Sequence, residues 1–242
     1  MSQRLRVINL GLPKSGTTTL ARALRRANLH VADHRIQPQQ TAREDLHEVF
    51  VGDLLYRGLY HADDPLADLD EFDALSEISA LRERHPIWPQ TDWGLIEAIR
   101  ACHPGVRFVA TWRDPLELSN SMLAWTNMVT RLERAAIPGL PVGYGETTAE
   151  RVRWIEGHYA TLERFFAGDP HFLHLPVGAE NARDRLAAFI GRDVPWWGQA
   201  NRNTSPDLPE DDMASDEAAS DDATDDDADG TEAETVRETD ET

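Results

Sequence analysis

Lys14 is the only lysine in a chain of 242 residues that carries 23 arginines, and it stands inside Gly11-Leu-Pro-Lys-Ser-Gly-Thr-Thr18. An apolar run, Leu5 to Leu10, precedes this segment and reads as a short buried strand. Thr17 to Asn28 follows with helical spacing, Leu20, Leu24 and Ala27 on one face and Arg22, Arg25 and Arg26 on the other. A strand that ends in glycines and opens a helix aims several unpaired backbone N–H groups and the positive end of a helix dipole at one point, which attracts phosphate. Gly11 and Gly16 permit close approach, Thr17 and Thr18 add hydroxyl donors, and Lys14 adds a full positive charge. In the triphosphate-binding version of such a loop a lysine directly follows the last glycine. Here Thr17 holds that place and the lysine stands two residues before Gly16.

A second segment, Trp112-Arg-Asp-Pro-Leu-Glu-Leu-Ser-Asn-Ser121, follows the clearest strand in the chain, Val106 to Trp112. Asp114 and Pro115 form a strong helix start, a cap followed by proline at the first helical position. Arg113, a rigid fork of donors, and Ser121, a hydroxyl about two turns on, can then both face a site at the carboxyl edge of the sheet.

With both segments in order, the chain resembles the sulfotransferases that use 3′-phosphoadenosine 5′-phosphosulfate (PAPS). The resemblance spans residue 4 to about residue 205, including Phe72-Asp-Ala-Leu-Ser-Glu77 and the closing Val194 to Thr204. It implies an α/β three-layer fold with a central parallel sheet and a phosphate-binding loop after the first strand, as in the P-loop NTPase-like sulfotransferases. It implies PAPS as donor, with no metal, and in-line transfer of a sulfonate group to a hydroxyl or amine. Lys14 would stabilise the leaving phosphate oxygen, the backbone of Ser15, Gly16, Thr17 and Thr18 would hold the 5′-phosphate, and Arg113 with Ser121 the 3′-phosphate. The acceptor's proton needs a base. His34, after a brief second strand at Leu29 to Ala32, is the expected catalytic group, with Asp33 and Glu77 as rivals. Trp112, Trp125, Trp154, Trp196 and Trp197 are candidates to stack on adenine or wall the acceptor, though core packing suits most of them.

The elements that must position these residues alternate along the chain. A helix-rich region is expected from Thr41 to Gly58, a surface loop from His61 to Glu71 and a strand end at Phe72 to Glu77. A helix is expected over Pro89 to Ala101. A long helix after Asp114 would carry Leu118, Met122, Trp125, Val129 and Leu132 on one face. Further elements are a helix over Thr148 to Phe166, a strand at His171 to Leu175 and a helix over Ala179 to Ile190. Strands alternating with helices predict a parallel sheet covered on both faces.

The formal charge of -19 is unevenly placed. Residues 207–242 hold 17 acids against Arg237 alone, so the remaining residues are nearly balanced, at -3. The expected organisation is a sulfotransferase-like domain over residues 1–206 and an acidic, disordered tail over 207–242, an arm suited to contact with a protein partner. The sign of the tail opposes nucleic-acid binding. No apolar run approaches membrane-spanning length and Cys102 is the only cysteine, so a cytoplasmic protein is expected. The acceptor is expected to be a small molecule, carbohydrate or lipid, shaped by residues 34–71 and 135–147. Two other functions compete: a small kinase using ATP and magnesium on the same architecture, and a non-catalytic nucleotide-binding partner protein acting through its tail.

Overall fold

Val7 and Ile8 are adjacent and both buried, yet they belong to different apolar clusters. Successive strand side chains point to opposite faces, so this strand, β1 (Val7–Asn9), has packed layers on both sides. The computed structural model describes residues 4–82, 86–124, 132 and 136–198. After β1 come α1 (Thr17–Arg26), β2 (Val31–Ala32), α2 (Val51–Ala62), β3 (Ala74–Leu75), α3 (Trp93–Cys102), β4 (Arg107–Trp112), α4 (Pro115–Leu123), α5 (Thr148–Phe165), β5 (Phe172–Pro176) and α6 (Ala182–Ile190). The strands form one sheet in the order β2-β3-β1-β4-β5, and every pairing is parallel. Leu20, Leu24, Leu186 and Ile190 of α1 and α6 share one cluster. Leu54, Leu95, Ile99, Leu118, Ile155 and Leu162 of α2 to α5 share the other. The fold is thus α/β, a five-stranded parallel sheet flanked by helices and compatible with three layers.

The helix starts follow from local chemistry. Asp92 caps α3 by accepting from the Leu95 N–H. Asp114 caps α4 by accepting from the Leu116 and Glu117 N–H groups, with proline at the next position. Thr147 and Glu150 form a reciprocal capping box at α5. Each such cap contributes about 1 kcal/mol.

Several boundaries differ from expectation for physical reasons. The region after Thr41 forms only a short 3-10 turn at Glu44–Leu46 before α2 begins. Residues 61–71 are not simply a surface loop: α2 continues to Ala62, and a 3-10 turn spans Ala67–Leu69. Leu66 and Leu69 reach the core, while Asp68 stays outside and takes the guanidinium groups of Arg43 and Arg57. The helix after Asp114 ends at Leu123, and Trp125 and Val129 lie outside the described residues. The last helix starts at Ala182 instead of Ala179 because turns occupy the residues between. The acidic tail also lies outside the described residues. Among the described residues no helix is long and apolar enough to cross a membrane.

Candidate functional site

The chain leaves β1 for β2 on one side of the sheet, whereas β4 leads to β5 on the other. Loops that diverge in this way open a crevice at the carboxyl ends of neighbouring strands, the usual ligand position in open α/β sheets. Residues 10–16 and Arg113 flank that crevice between β1 and β4.

Two residues in the loop take left-handed backbone conformations, Lys14 at φ 67° and Gly16 at φ 112°. For lysine this is unfavourable, and such strain concentrates at functional sites. A left-handed residue beside one of ordinary handedness turns successive N–H groups toward one concave side, the geometry of anion-binding nests. Gly16 caps α1 with no side-chain acceptor, and the first turn of the helix carries no acid. The positive end of the helix is therefore not neutralised by its own residues. Lys14, Gly16 and Thr18 keep partial exposure, whereas Ser15 and Thr17 are buried.

The Ser15 side chain does not face the crevice. Its Oγ lies 2.6 Å from the Thr111 Oγ1 of β4, so Ser15 contributes to the loop through its backbone. Gly11 is required by the same contact. A Cβ there would sit 2.2 Å from Thr111 Oγ1 and 2.6 Å from the Thr111 carbonyl oxygen. Gly11→Ala is expected to destabilise the protein by about 1–3 kcal/mol through overpacking. Gly157→Ala in the exposed middle of α5, where an added Cβ meets nothing within 4 Å, should stabilise it by about 0.5–1 kcal/mol. Urea denaturation of the two variants measures both signs.

Beneath the loop lies a set of buried groups that sequence reading did not single out. Asn9 donates from Nδ2 to the Ser76 carbonyl at 2.8 Å, and its Oδ1 accepts from the Gly11 N–H at 3.0 Å and the Thr111 N–H at 3.1 Å. From α5, the His158 Nε2 lies 2.9 Å from the Leu10 carbonyl oxygen. The Tyr159 hydroxyl accepts from the Leu12 N–H at 3.2 Å and donates to the Thr111 carbonyl at 2.8 Å. Burial drives the His158 pKa down to about 4, so the ring is neutral near pH 7 and its Nε2 carries the proton that Leu10 accepts. Burial pushes the Tyr159 hydroxyl well above its usual value. Asn9 could have been noticed as the single amide in an otherwise apolar strand, but nothing local marks His158 or Tyr159.

The three base candidates converge. The carboxyl ends of β2 and β3 bring His34 beside Glu77, whose carbonyl accepts from the His34 N–H at 2.9 Å. The carboxylate of Glu77 accepts from the Ser79 hydroxyl at 2.6 Å and the Ser79 N–H at 3.1 Å, and the Thr17 side chain of the loop lies near enough to favour its charged form. Burial first, and the negative charge of Asp33 second, raise Glu77 to about 7, against the bonds from Ser79 and the nearby Thr17 hydroxyl, which lower it. It nevertheless keeps some exposed surface, as a group at the floor of a cleft does. Asp33 accepts from the Ser76 hydroxyl at 2.8 Å and lies 3.6 Å from Arg25. His34 holds a left-handed backbone, φ 58°, with its ring edge-on to Phe50.

On the other wall, Arg113 follows β4 half-buried, its Nη2 3.7 Å from the Glu117 carboxylate. Ser121 is half-buried in α4. Arg151 of α5 donates from Nε to Ser119 at 2.9 Å, which fixes α4 two residues before Ser121. The tryptophans have packing partners: Trp112 against His174, Trp154 against Trp88, Trp196 beneath Arg26, and Trp197 bonded to the Val177 carbonyl. Among the described residues no group of three or more His, Cys, Asp or Glu is arranged to hold a metal ion. Two cavities, of about 440 and 590 Å³, open at the opposite edge of the sheet around Arg107 and Phe108 and do not include these residues. No protein-family model matches the chain, and no curated protein is found to match it. Function is therefore read from the residues of the site.

Proposed function

We propose that this protein is a sulfotransferase that moves a sulfonate group from PAPS to a hydroxyl or amine of a small-molecule, carbohydrate or lipid acceptor. The observation that carries this reading is the loop between β1 and α1. Its only lysine precedes the second glycine, Lys14 and Gly16 are both left-handed, and the uncapped start of α1 lies behind them. Such a loop suits a 5′-phosphosulfate whose bridging oxygen gains charge as the bond to sulfur breaks. Lys14 supplies the cation at that oxygen, and the backbone from Gly16 to Thr18 holds the 5′-phosphate, the Ser15 N–H being given to the Leu12 carbonyl at 3.1 Å. Arg113 and Ser121, across the crevice, take the 3′-phosphate.

Glu77 removes the acceptor's proton. It is the base candidate whose carboxylate lies near loop residue Thr17, and a group near 7 is suited to proton transfer at neutral pH. In the reaction the acceptor oxygen or nitrogen forms a bond to sulfur, and the bond from sulfur to the bridging phosphate oxygen breaks. The acceptor's proton passes to Glu77, and adenosine 3′,5′-bisphosphate leaves. His34 borders the same floor through its backbone bond to Glu77.

One observation favours phosphoryl transfer from ATP instead. Glu77 follows a strand next to β1 and lies near a threonine at the loop's helix start, as the magnesium-site acid does in triphosphate-hydrolysing folds. Against it, Thr17 stands where those enzymes place their lysine. Incubation with ³⁵S-labelled PAPS and a pooled metabolite extract tests the reading. Label should move to an acceptor without added magnesium. Transfer of ³²P from γ-labelled ATP with no movement of ³⁵S would select the kinase.

A further inference from the structure

The hydrogen-bond ladder between β1 and β4 stops one step earlier than the chain could carry it. Its two ends are regular: the Arg107 N–H donates to the Arg6 carbonyl at the start and the Leu10 N–H to the Val109 carbonyl at the finish, at 2.8 and 2.7 Å. With Asn9 opposite Val109, the parallel pattern next pairs the Thr111 N–H with the Leu10 carbonyl and the Leu12 N–H with the Thr111 carbonyl. Neither bond is made. All four groups are instead satisfied by side chains, as buried backbone groups must be. The Thr111 N–H goes to Asn9 Oδ1 and the Leu10 carbonyl accepts from His158 Nε2. The remaining two, Leu12 N–H and Thr111 carbonyl, are both held by one atom, the Tyr159 hydroxyl oxygen.

We propose that Tyr159 is a positioning residue whose hydroxyl stands in for the missing rung. It keeps β1 and β4 apart where the loop turns away, and so holds residues 11–16 in the shape that receives a 5′-phosphate. A single hydroxyl that both accepts and donates can bridge an N–H and a carbonyl that would otherwise bond each other directly. Beside it, the Ser15 Oγ is held by the Thr111 Oγ1 at 2.6 Å. The loop is thereby fixed from α5, 147 residues away in the chain. With the hydroxyl gone, Leu12 and Thr111 can zip together, and the strand extends into the loop. That a 5′-phosphate is the ligand rests on the sulfotransferase reading; that the hydroxyl keeps the rung open does not.

Tyr159→Phe separates the two. The crystal structure of the variant should show the Leu12 N–H bonded directly to the Thr111 carbonyl. Because the freed groups pair with each other, the melting temperature should stay within about 5 °C of the parent. Affinity for adenosine 3′,5′-bisphosphate should fall about tenfold or more, with a matching loss for adenosine 5′-monophosphate and none for adenosine 3′-monophosphate. Tyr56→Phe removes another part-buried hydroxyl, the donor to Asp92 at 3.0 Å, and should leave nucleotide affinity unchanged. A rung still open in Tyr159→Phe, a variant that does not fold, or unaltered 5′-phosphate affinity in a parent that binds the bisphosphate would each overturn the proposal. A parent that fails to bind the bisphosphate contradicts the sulfotransferase reading instead, and the rung distance then decides the role of Tyr159 alone.

Discussion

Lys14→Ala is expected to lower the rate of sulfonate transfer by about 10²- to 10³-fold, the usual effect of deleting a group that stabilises charge developing in the transition state. The loss should fall mainly on kcat. In the ground state the bridging oxygen is shared between phosphorus and sulfur and carries little charge, so the ammonium gains most of its attraction as that bond breaks. The fold should survive, because Lys14 is only half-buried and alanine is no worse than lysine at φ 67°. Lys14→Arg, which keeps charge in a larger and differently shaped head, should recover part of the rate. The ³⁵S assay with circular dichroism of each variant measures both outcomes. An unchanged kcat in folded Lys14→Ala would remove the lysine from the chemistry.

Glu77→Gln is expected to lower kcat by about 10²- to 10⁴-fold, the range for loss of a positioned general base, and to change the pH dependence of two properties in opposite ways. For activity, the parent should gain rate with rising pH and level off above about 7, where Glu77 is ionised. The variant should lack that ascending limb. For stability the sign follows from a folded pKa raised above the ordinary 4.5. The unfolded chain ionises first, so Glu77's contribution is fully present below 4.5 and is lost as pH rises through about 7. The variant, uncharged throughout, should therefore be the more stable protein at pH 8, by on the order of 3 kcal/mol at most. His158 acts in the other direction. Its pKa is lowered from 6.5 to about 4, so its contribution is present above 6.5 and lost as pH falls toward 4, in parent and variant alike. Thermal melts at pH 5 and pH 8 separate the two groups. Equal stability of parent and variant at pH 8 would show that Glu77 is not held against ionisation.

The parts of the site that were legible in the sequence are those written in short range. Gly11, Lys14 and Gly16 announce a turn between a strand and a helix, and Asp114 with Pro115 announces the start of α4, because caps and turns are set by neighbours along the chain. The parallel sheet followed from alternation of strands and helices, although β2 and β3 have only two residues each and their ends could not be placed. Other features depend on contacts that spacing does not encode. Leu66 and Leu69 lie within a run of acids, and only the position of Arg43 and Arg57 shows that the charges face outward. Glu77 was one of three candidate bases, and its nearness to Thr17, 60 residues earlier in the chain, arises only on folding. Tyr159 carried no local signal, since its partners Leu12 and Thr111 belong to two other elements.

Calorimetric titration of the full-length protein with adenosine 3′,5′-bisphosphate, set beside ATP with magnesium, is the most direct test of the central claim. The proposal that the loop takes a 5′-phosphosulfate, with Arg113 and Ser121 at the 3′-phosphate, predicts that the bisphosphate binds without magnesium and about 100-fold or more tighter than ATP, a difference of about 2.7 kcal/mol. Tight binding of ATP with magnesium, and none of the bisphosphate, would contradict it.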